Sequence, residues 1–337
     1  MTYSSAGLIQ AADFNGFVGP TANGGTAGAN LNDIWGVGAT DKGWGQTAVT
    51  NVSALGTVSA TNWASLVNTL ATAGTQTGQS LTSRTAPTAG QTIGILAALN
   101  ADLTTVTTNR GSAAAVGTEY GTFSGSVAKT TGTGTSPSAW TITWTQTVTF
   151  PSVDQARYFW NAGGRVRLQY SKTSTGTDID PDWNAFVAKV GSIYLSGYVN
   201  GQAQTIAGQS YTGTTRIGGT GGTQNTLATT TGWYQLTNSP TTIFTLYNDA
   251  YLYTGEYIQT TATATSGTVL TLTTTWYQPA VSAHPGEPTT ISGGTDTPSG
   301  NTTIVGTAPT TLCTYIPPSA TYISNTWGTP SIASSVA

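Results

Sequence analysis

Few residues in this chain could support chemistry, and each lacks the companions that chemistry needs. Asp178, Asp180 and Asp182 alternate in Thr177-Asp-Ile-Asp-Pro-Asp-Trp183, a spacing that could hold calcium or set up a glycosidase acid pair. The run lacks the glycine and distal Glu of an EF-hand loop, and Pro181 interrupts it. A loop leading into a helix capped by Asp180 explains the same residues with less, although calcium stays open. His284 is the single histidine and sits in Ala283-His-Pro-Gly286, so a Ser–His–Asp site has no well-placed base. Cys313 is the single cysteine. One His and one Cys make neither an intrachain disulfide nor a zinc cluster. Gly218-Gly-Thr-Gly-Gly222 is glycine-rich, but no Lys-Ser/Thr follows it as in a phosphate loop. The chain is therefore read as a non-enzyme, with no catalytic residue and no cofactor.

Composition explains more than any of these residues. Charged residues are 7% of the 337, against about 25% in ordinary soluble proteins. Thr, Gly, Ser, Ala and Asn fill the difference. A net charge of −3 with 10 Trp, 15 Tyr and 7 Phe argues for a folded chain, because disordered chains carry high net charge and few aromatics. A surface of Thr, Ser and Asn has little charge to hold copies apart, which predicts a homo-oligomer buried in a repetitive assembly. The ten Lys and Arg are scattered and the pI is about 4.9, which excludes nucleic acid as a partner. Met1 to Gly19 shows no basic region followed by an apolar block, so no secretory leader is expected. No run approaches the ~18 apolar residues of a membrane span, so no membrane partner is expected.

The elements that would position these residues change character along the chain. Met1 to Gly56 reads as irregular, glycine-punctuated sequence anchored by Phe14, Phe17, Trp35 and Trp44. Trp63, Leu66, Val67 and Leu70 follow helical spacing behind a Thr61 N-cap, and Gly74 marks the end. A second helix is predicted over Gln91–Asn109, with Ile93, Leu96, Leu99, Leu103 and Val106 on one face and Arg110-Gly111 as its stop. From about Tyr120 the period becomes two. In Trp140–Phe150, Trp, Ile, Gln, Val and Phe alternate strictly with Thr, which predicts a sheet buried on one side. Further strands are predicted at 165–172, 192–200, 233–236, 241–248, 257–265 and 268–277, with Ser266-Gly267 as a hairpin turn. A short helix is predicted over 181–191.

The expected fold is mainly β with a small helical N-terminal part: an antiparallel β-sandwich plus an extended Pro-rich C-terminal arm. Residues 1–115 would form a docking region with two amphipathic helices and 116–280 the sandwich. Residues 281–337, rich in proline and uncharged after Asp296, would form the arm, anchored by Tyr315, Tyr322 and Trp327.

Three stretches carry a family resemblance. The first joins Asp13-Phe14-Asn15, Leu31-Asn-Asp-Ile-Trp35-Gly-Val-Gly38, Gly43-Trp44-Gly-Gln46 and the Thr61-Asn-Trp63 helix start. The second is Tyr158-Phe-Trp-Asn161-Ala-Gly163-Gly164-Arg165-Val-Arg167-Leu168, and the third is Tyr257-Ile-Gln-Thr-Thr-Ala262. In pattern and order they resemble virion structural proteins of tailed, contractile phages of the cyanophage type. Where Trp160 stands, that pattern often has Phe or another aromatic. The resemblance covers most of residues 10–280 and leaves the Pro-rich tail outside it. It implies a structural subunit of the neck, collar or fibre apparatus, assembled in the host cytoplasm and located in the virion. Its partners would be copies of itself and other virion proteins. Two alternatives stay beside it, a fibre module that binds host surface glycans and a capsid decoration protein.

The second stretch also has a physical reading. Asn161-Ala-Gly163-Gly164 reads as a turn that needs positive φ. Arg165 and Arg167 then share one face of the following strand and Val166 and Leu168 the other. The two arginines are expected to bond a carboxylate such as Asp154 or Asp182, within one subunit or between two.

Overall fold

The computed structural model describes residues 10–19, 30–119, 125–134, 140–173, 179–197, 202–224, 239–248, 255–279, 290–291, 294–295, 304 and 306–337. The fold is mainly β, built of antiparallel sheets with a few helices. The strand expected at 233–236, His284 and Asp178 lie outside the described residues, as do the side chains of Asp180 and Asp182.

Among the described residues of the N-terminal third are the helices α1 (Ala11–Val18), α2 (Leu31–Trp35), α3 (Ala60–Gln76) and α4 (Leu96–Thr108). The apolar stripes of α3 and α4 are buried as their spacing predicts. The cap of α3 is Ser59 rather than Thr61, because Asn62 completes a reciprocal box with it. Ser59 Oγ accepts from the Asn62 amide and Asn62 Oδ1 accepts from the Ser59 amide. The second helix starts at Leu96, five residues later than Gln91. Helix α1 and helix α2 replace part of the irregular region. They are too short for a repeating stripe, yet Phe14 and Phe17 are fully buried, with Phe14 edge-on to Trp63 at 5.3 Å.

The remaining elements are β1 (Val127–Ala128), β2 (Trp140–Thr149), α5 (Val153–Asn161), β3 (Arg165–Ser171), α6 (Ile179–Val190), β4 (Ser192–Ser196), β5 (Gln204–Ile206), β6 (Gln209–Tyr211), β7 (Thr214–Ile217), β8 (Thr223–Gln224), β9 (Thr241–Tyr247), β10 (Tyr257–Thr265), β11 (Val269–Gln278), β12 (Thr290–Ile291), β13 (Gly294–Thr295), β14 (Thr310–Ile316) and β15 (Ser331–Val336). Of the two large sheets one has the order β15-β2-β11-β10-β9-β8 and the other β1-β14-β3-β4-β7, while β5-β6 and β12-β13 form separate two-stranded pairs, and every strand pairing is antiparallel. Strand β2 alternates as expected, with Trp140, Ile142, Trp144, Gln146 and Val148 buried. Ser266 and Gly267 both take positive φ, 53° and 69°, which matches the twist of the β10–β11 hairpin.

The two sheets share one core. Trp276 of β11 stacks on Trp183 of α6 at 5.5 Å and lies 4.9 Å from Trp144 of β2. Tyr170 crosses from β3, and its hydroxyl meets those of Thr260 and Thr274 at 2.7 and 3.0 Å. Both threonines are fully buried on the inner face of the six-stranded sheet, where a lone hydroxyl would be unfavourable. Burial pushes the Tyr170 phenol up to about 12. It does the same to the Cys313 thiol, also to about 12.

The C-terminal segment differs most from expectation. Within 306–337 the chain is not an arm. Strand β14 lies inside the five-stranded sheet between β1 and β3, and β15 forms the edge of the other sheet beside β2. The prolines punctuate these strands. Pro309 precedes β14, Pro317 and Pro318 follow it, and Pro330 precedes β15, positions where a missing N–H costs no ladder bond. The boundary at 115/116 is not a break either, since Phe14, Trp63 and Leu103 join the same core as Trp144, Tyr315 and Trp327. Among the described residues no helix is long and apolar enough to cross a membrane.

Candidate functional site

Residues of the first two motif stretches converge on one polar junction. Asn15 and Asn32 each use their side-chain amide as an extra backbone rung. Asn15 donates to the Val52 carbonyl at 2.8 Å and accepts from the Val52 amide at 2.9 Å. Asn32 does the same with Val49, both bonds 2.9 Å. These bonds lay residues 49–52 across α1 and α2. The chain then doubles back, with the Trp44 amide donating to the Ile34 carbonyl and the Gln46 amide to that of Trp35.

Helix α5 closes the junction. The Trp44 indole N–H donates to the carbonyls of Asn161 and Arg110 at 3.1 and 3.3 Å. Asn161 Nδ2 returns a bond to the Lys42 carbonyl at 2.8 Å. Arg157 Nη1 reaches the carbonyls of Val37 and Lys42 at 2.6 and 2.8 Å, and Nη2 meets Asp154 at 2.8 Å. Arg110 pairs with Asp41 through a buried ion pair. The C-terminal segment joins on the other side. Gln46 donates to the Ser324 carbonyl at 2.9 Å and accepts from the Ser324 amide at 2.9 Å, while Thr326 donates to the Trp44 carbonyl. Gly45, at φ 69°, lies so close to Tyr158 that a Cβ there would come within 2.4 Å of its ring. These donors and acceptors are spent on one another, so the junction fixes three distant segments of the chain.

The predicted residues divide accordingly. Trp44, Asn161, Tyr315 and Trp327 are buried within the chain, while Trp35 is half-buried, edge-on to Trp44, and donates to the Thr47 carbonyl. Tyr322 is exposed at 39%. Gly163 takes φ 99°, as the turn reading requires. Gly164 is needed for space instead, since a Cβ there would meet the Phe159 carbonyl oxygen at 2.6 Å. The arginine partners differ from those expected. Arg167 pairs with Glu119 at 2.7 Å, and Asp154 is taken by Arg157. Arg165 is buried against Tyr211, with Nη1 donating to the phenol at 2.9 Å. Arg110, Arg157, Glu119, Gln204 and Tyr211 were not anticipated. For the arginines and Glu119 the one available signal was rarity, because in a chain so poor in charge each charged residue drawn into the fold has a specific structural task. Gln204 and Tyr211 carried no such signal.

Two other surfaces have definite geometry. A cleft of about 610 Å³ between α3, the 78–84 loop and α4 is lined by Val67, Leu70, Leu81 and Leu99. At this cleft Arg84 grips Asp102 with two bonds, which raises its already high pKa. On the outer face of the six-stranded sheet, Tyr247, Tyr257 and Tyr277 lie side by side across β9, β10 and β11. Their ring centroids are 5.9 and 5.1 Å apart, and Tyr247 is 63% exposed. Partial burial, then the neighbouring Tyr277 and Tyr247, raise the Tyr257 pKa. Beyond it this face continues as Gln259 and rows of threonine such as Thr145, Thr273 and Thr261.

No protein-family model, no curated protein and no solved structure matches the chain.

Proposed function

We propose that this chain is a non-enzymatic structural subunit of a tailed bacteriophage particle, from its neck, collar or fibre apparatus, acting through oligomeric assembly. The observation that carries the reading is the junction. Asn15, Asn32 and Trp44 of the first phage-like stretch and Asn161 of the second are far apart in sequence, yet they bond into a single unit. That the residues carrying the resemblance also build one structural device supports reading the pattern as a structural one. The finer architecture in this reading is an antiparallel β-sandwich with helices packed at one end. Low charge and a threonine-faced sheet suit a subunit whose surface is covered by copies of itself and by other virion proteins. Sedimentation of the purified full chain tests the assembly, with a closed oligomer expected and a monomer at every concentration overturning it. Imaging of particles with this subunit labelled tests the location, and label absent from particles removes the virion reading.

The tyrosine row favours a second reading, a fibre module for host surface glycans. Its aromatic faces suit the C–H faces of a sugar, and Gln259 with the neighbouring threonines offers neutral hydrogen bonds. Glycan-array binding that Tyr247→Ala removes supports it, and an array blank for the wild type removes it.

A further inference from the structure

We propose that a small monovalent inorganic anion, of the size and charge of chloride, is held by Arg165 beneath the β5–β6 hairpin. Arg165 projects from β3 on the face opposite Val166 and Leu168, and this hairpin covers it. Its side chain is only 2% exposed. The guanidinium lies 4.9 Å over the Tyr211 ring and spends Nη1 on the Tyr211 hydroxyl. Its Nε and Nη2 are buried without a hydrogen-bond partner. Gln204 stands directly across the hairpin from Tyr211 and is 1% exposed, and neither atom of its amide has a partner. Unmet donors of two neighbouring side chains thus lie under one roof.

The charge balance selects the ligand. Two residues further along the same face, Arg167 holds Glu119, which also accepts from Thr314. That carboxylate pairs with Arg167, and no ion pair reaches Arg165 among the described residues. From Trp183 to Asn248, the stretch that contains the hairpin, the chain has no Asp or Glu. A guanidinium does not shed its proton, and a buried charge without a counter-charge is strongly unfavourable. One negative charge balances the site. No carboxylate pairs with Arg165 among the described residues, so the charge is one an ion brings. Ala113, Ile206 and Tyr211 pack as a small core at the hairpin, and a Cβ on Gly111 would come within 2.2 Å of Gln204 Nε2. Gln204 Nε2 adds a neutral donor beside the cation.

The test is thermal melting of the full chain at constant ionic strength while gluconate is replaced by chloride. The wild type is expected to gain melting temperature with the logarithm of chloride concentration. Arg165→Met should abolish that slope. Gln204→Leu, which keeps the charge, should raise the chloride needed for the half-maximal shift several-fold. Bromide in wild-type crystals should give an anomalous peak beside Arg165 Nε and Nη2. A wild type indifferent to chloride, a slope unchanged in both variants, or no bromide peak overturns the proposal. If Arg165→Met does not fold, Gln204→Leu and the bromide peak decide it.

Discussion

The two sheets share one apolar core but are put together differently. The six-stranded sheet has a local centre, in which β9, β10 and β11 follow one another in the chain and β2 adds its alternating Trp/Thr strand. Its inner face is mainly apolar, with Gln146, Thr260 and Thr274 buried among the rings, and its outer face is largely threonine and tyrosine. The five-stranded sheet takes β14 from the far end of the chain and sets it between β1 and β3. Its outer face carries Arg165 and Arg167, and the junction at α5 beside it is polar. A sheet made of consecutive strands is held by side-chain pattern. One made of distant strands needs specific bonds to bring its segments together, and this chain concentrates its few charges there.

The largest expected effect follows from that difference. A chain ending at Val305 loses β14 from the inside of one sheet and β15 from the edge of the other. It should show no cooperative thermal transition and no near-ultraviolet dichroism. A chain ending at Pro330 loses only the edge strand and should still melt cooperatively, at a lower temperature. A native-like 1–305 fragment would break the comparison. The next effect lies in the apolar core. Trp276→Ala removes a ring packed against Trp144, Tyr170 and Trp183 and should cost about 3–5 kcal/mol in urea unfolding. Arg157→Met leaves the carbonyls of Val37 and Lys42 without that donor and should cost roughly 1–3 kcal/mol, a smaller loss in the same assay.

The sequence was most legible where structure is local. The Trp140–Phe150 alternation, the Ser266-Gly267 turn and the stripes of α3 and α4 all depend on neighbours within a few residues. Helices α1, α2 and α5 were missed because five to nine residues hold too little periodic pattern to separate them from glycine-rich loops. The place of β14 was hidden for another reason. Thr310–Ile316 has strand-like residues, but proline density at both ends reads as an extended arm, and its partners β1 and β3 lie well over a hundred residues away. The junction was half visible. Trp44, Gln46, Asn161 and the glycines stood out as motif residues, whereas the roles of Arg110 and Arg157 become meaningful only once their carbonyl and carboxylate partners are brought near.

The link between the sheets can be sharpened by pH. Tyr170 stays neutral in the fold up to about 12, against an ordinary value of 10.0. The stability tied to its neutral form is therefore complete below pH 10 and is lost as the pH rises toward 12. Two units correspond to about 3 kcal/mol. Tyr170→Phe should lower stability at pH 7 by about 1 kcal/mol, the usual net value of a hydrogen bond. It should also flatten the decline between pH 10 and 12 relative to wild type. Cys313 acts in the same direction from its ordinary 9.0, so Cys313→Ala in the Tyr170→Phe background should remove part of the remaining slope.

The smallest effect separates the outer face from the rest of the six-stranded sheet. Tyr247 lies on an outer strand of the tyrosine row and is mostly exposed, so Tyr247→Ser forfeits one ring contact with Tyr257 and little burial. Its cost should stay near 0.5 kcal/mol in urea unfolding, close to the usual range for exposed substitutions. If the row exists to bind sugar, the same substitution should remove glycan binding while the melting curve hardly moves. A loss above about 2 kcal/mol would instead mean that the row holds the sheet together. It would then belong to the same structural system as Trp276, and the exposed tyrosines would lose their claim to a ligand.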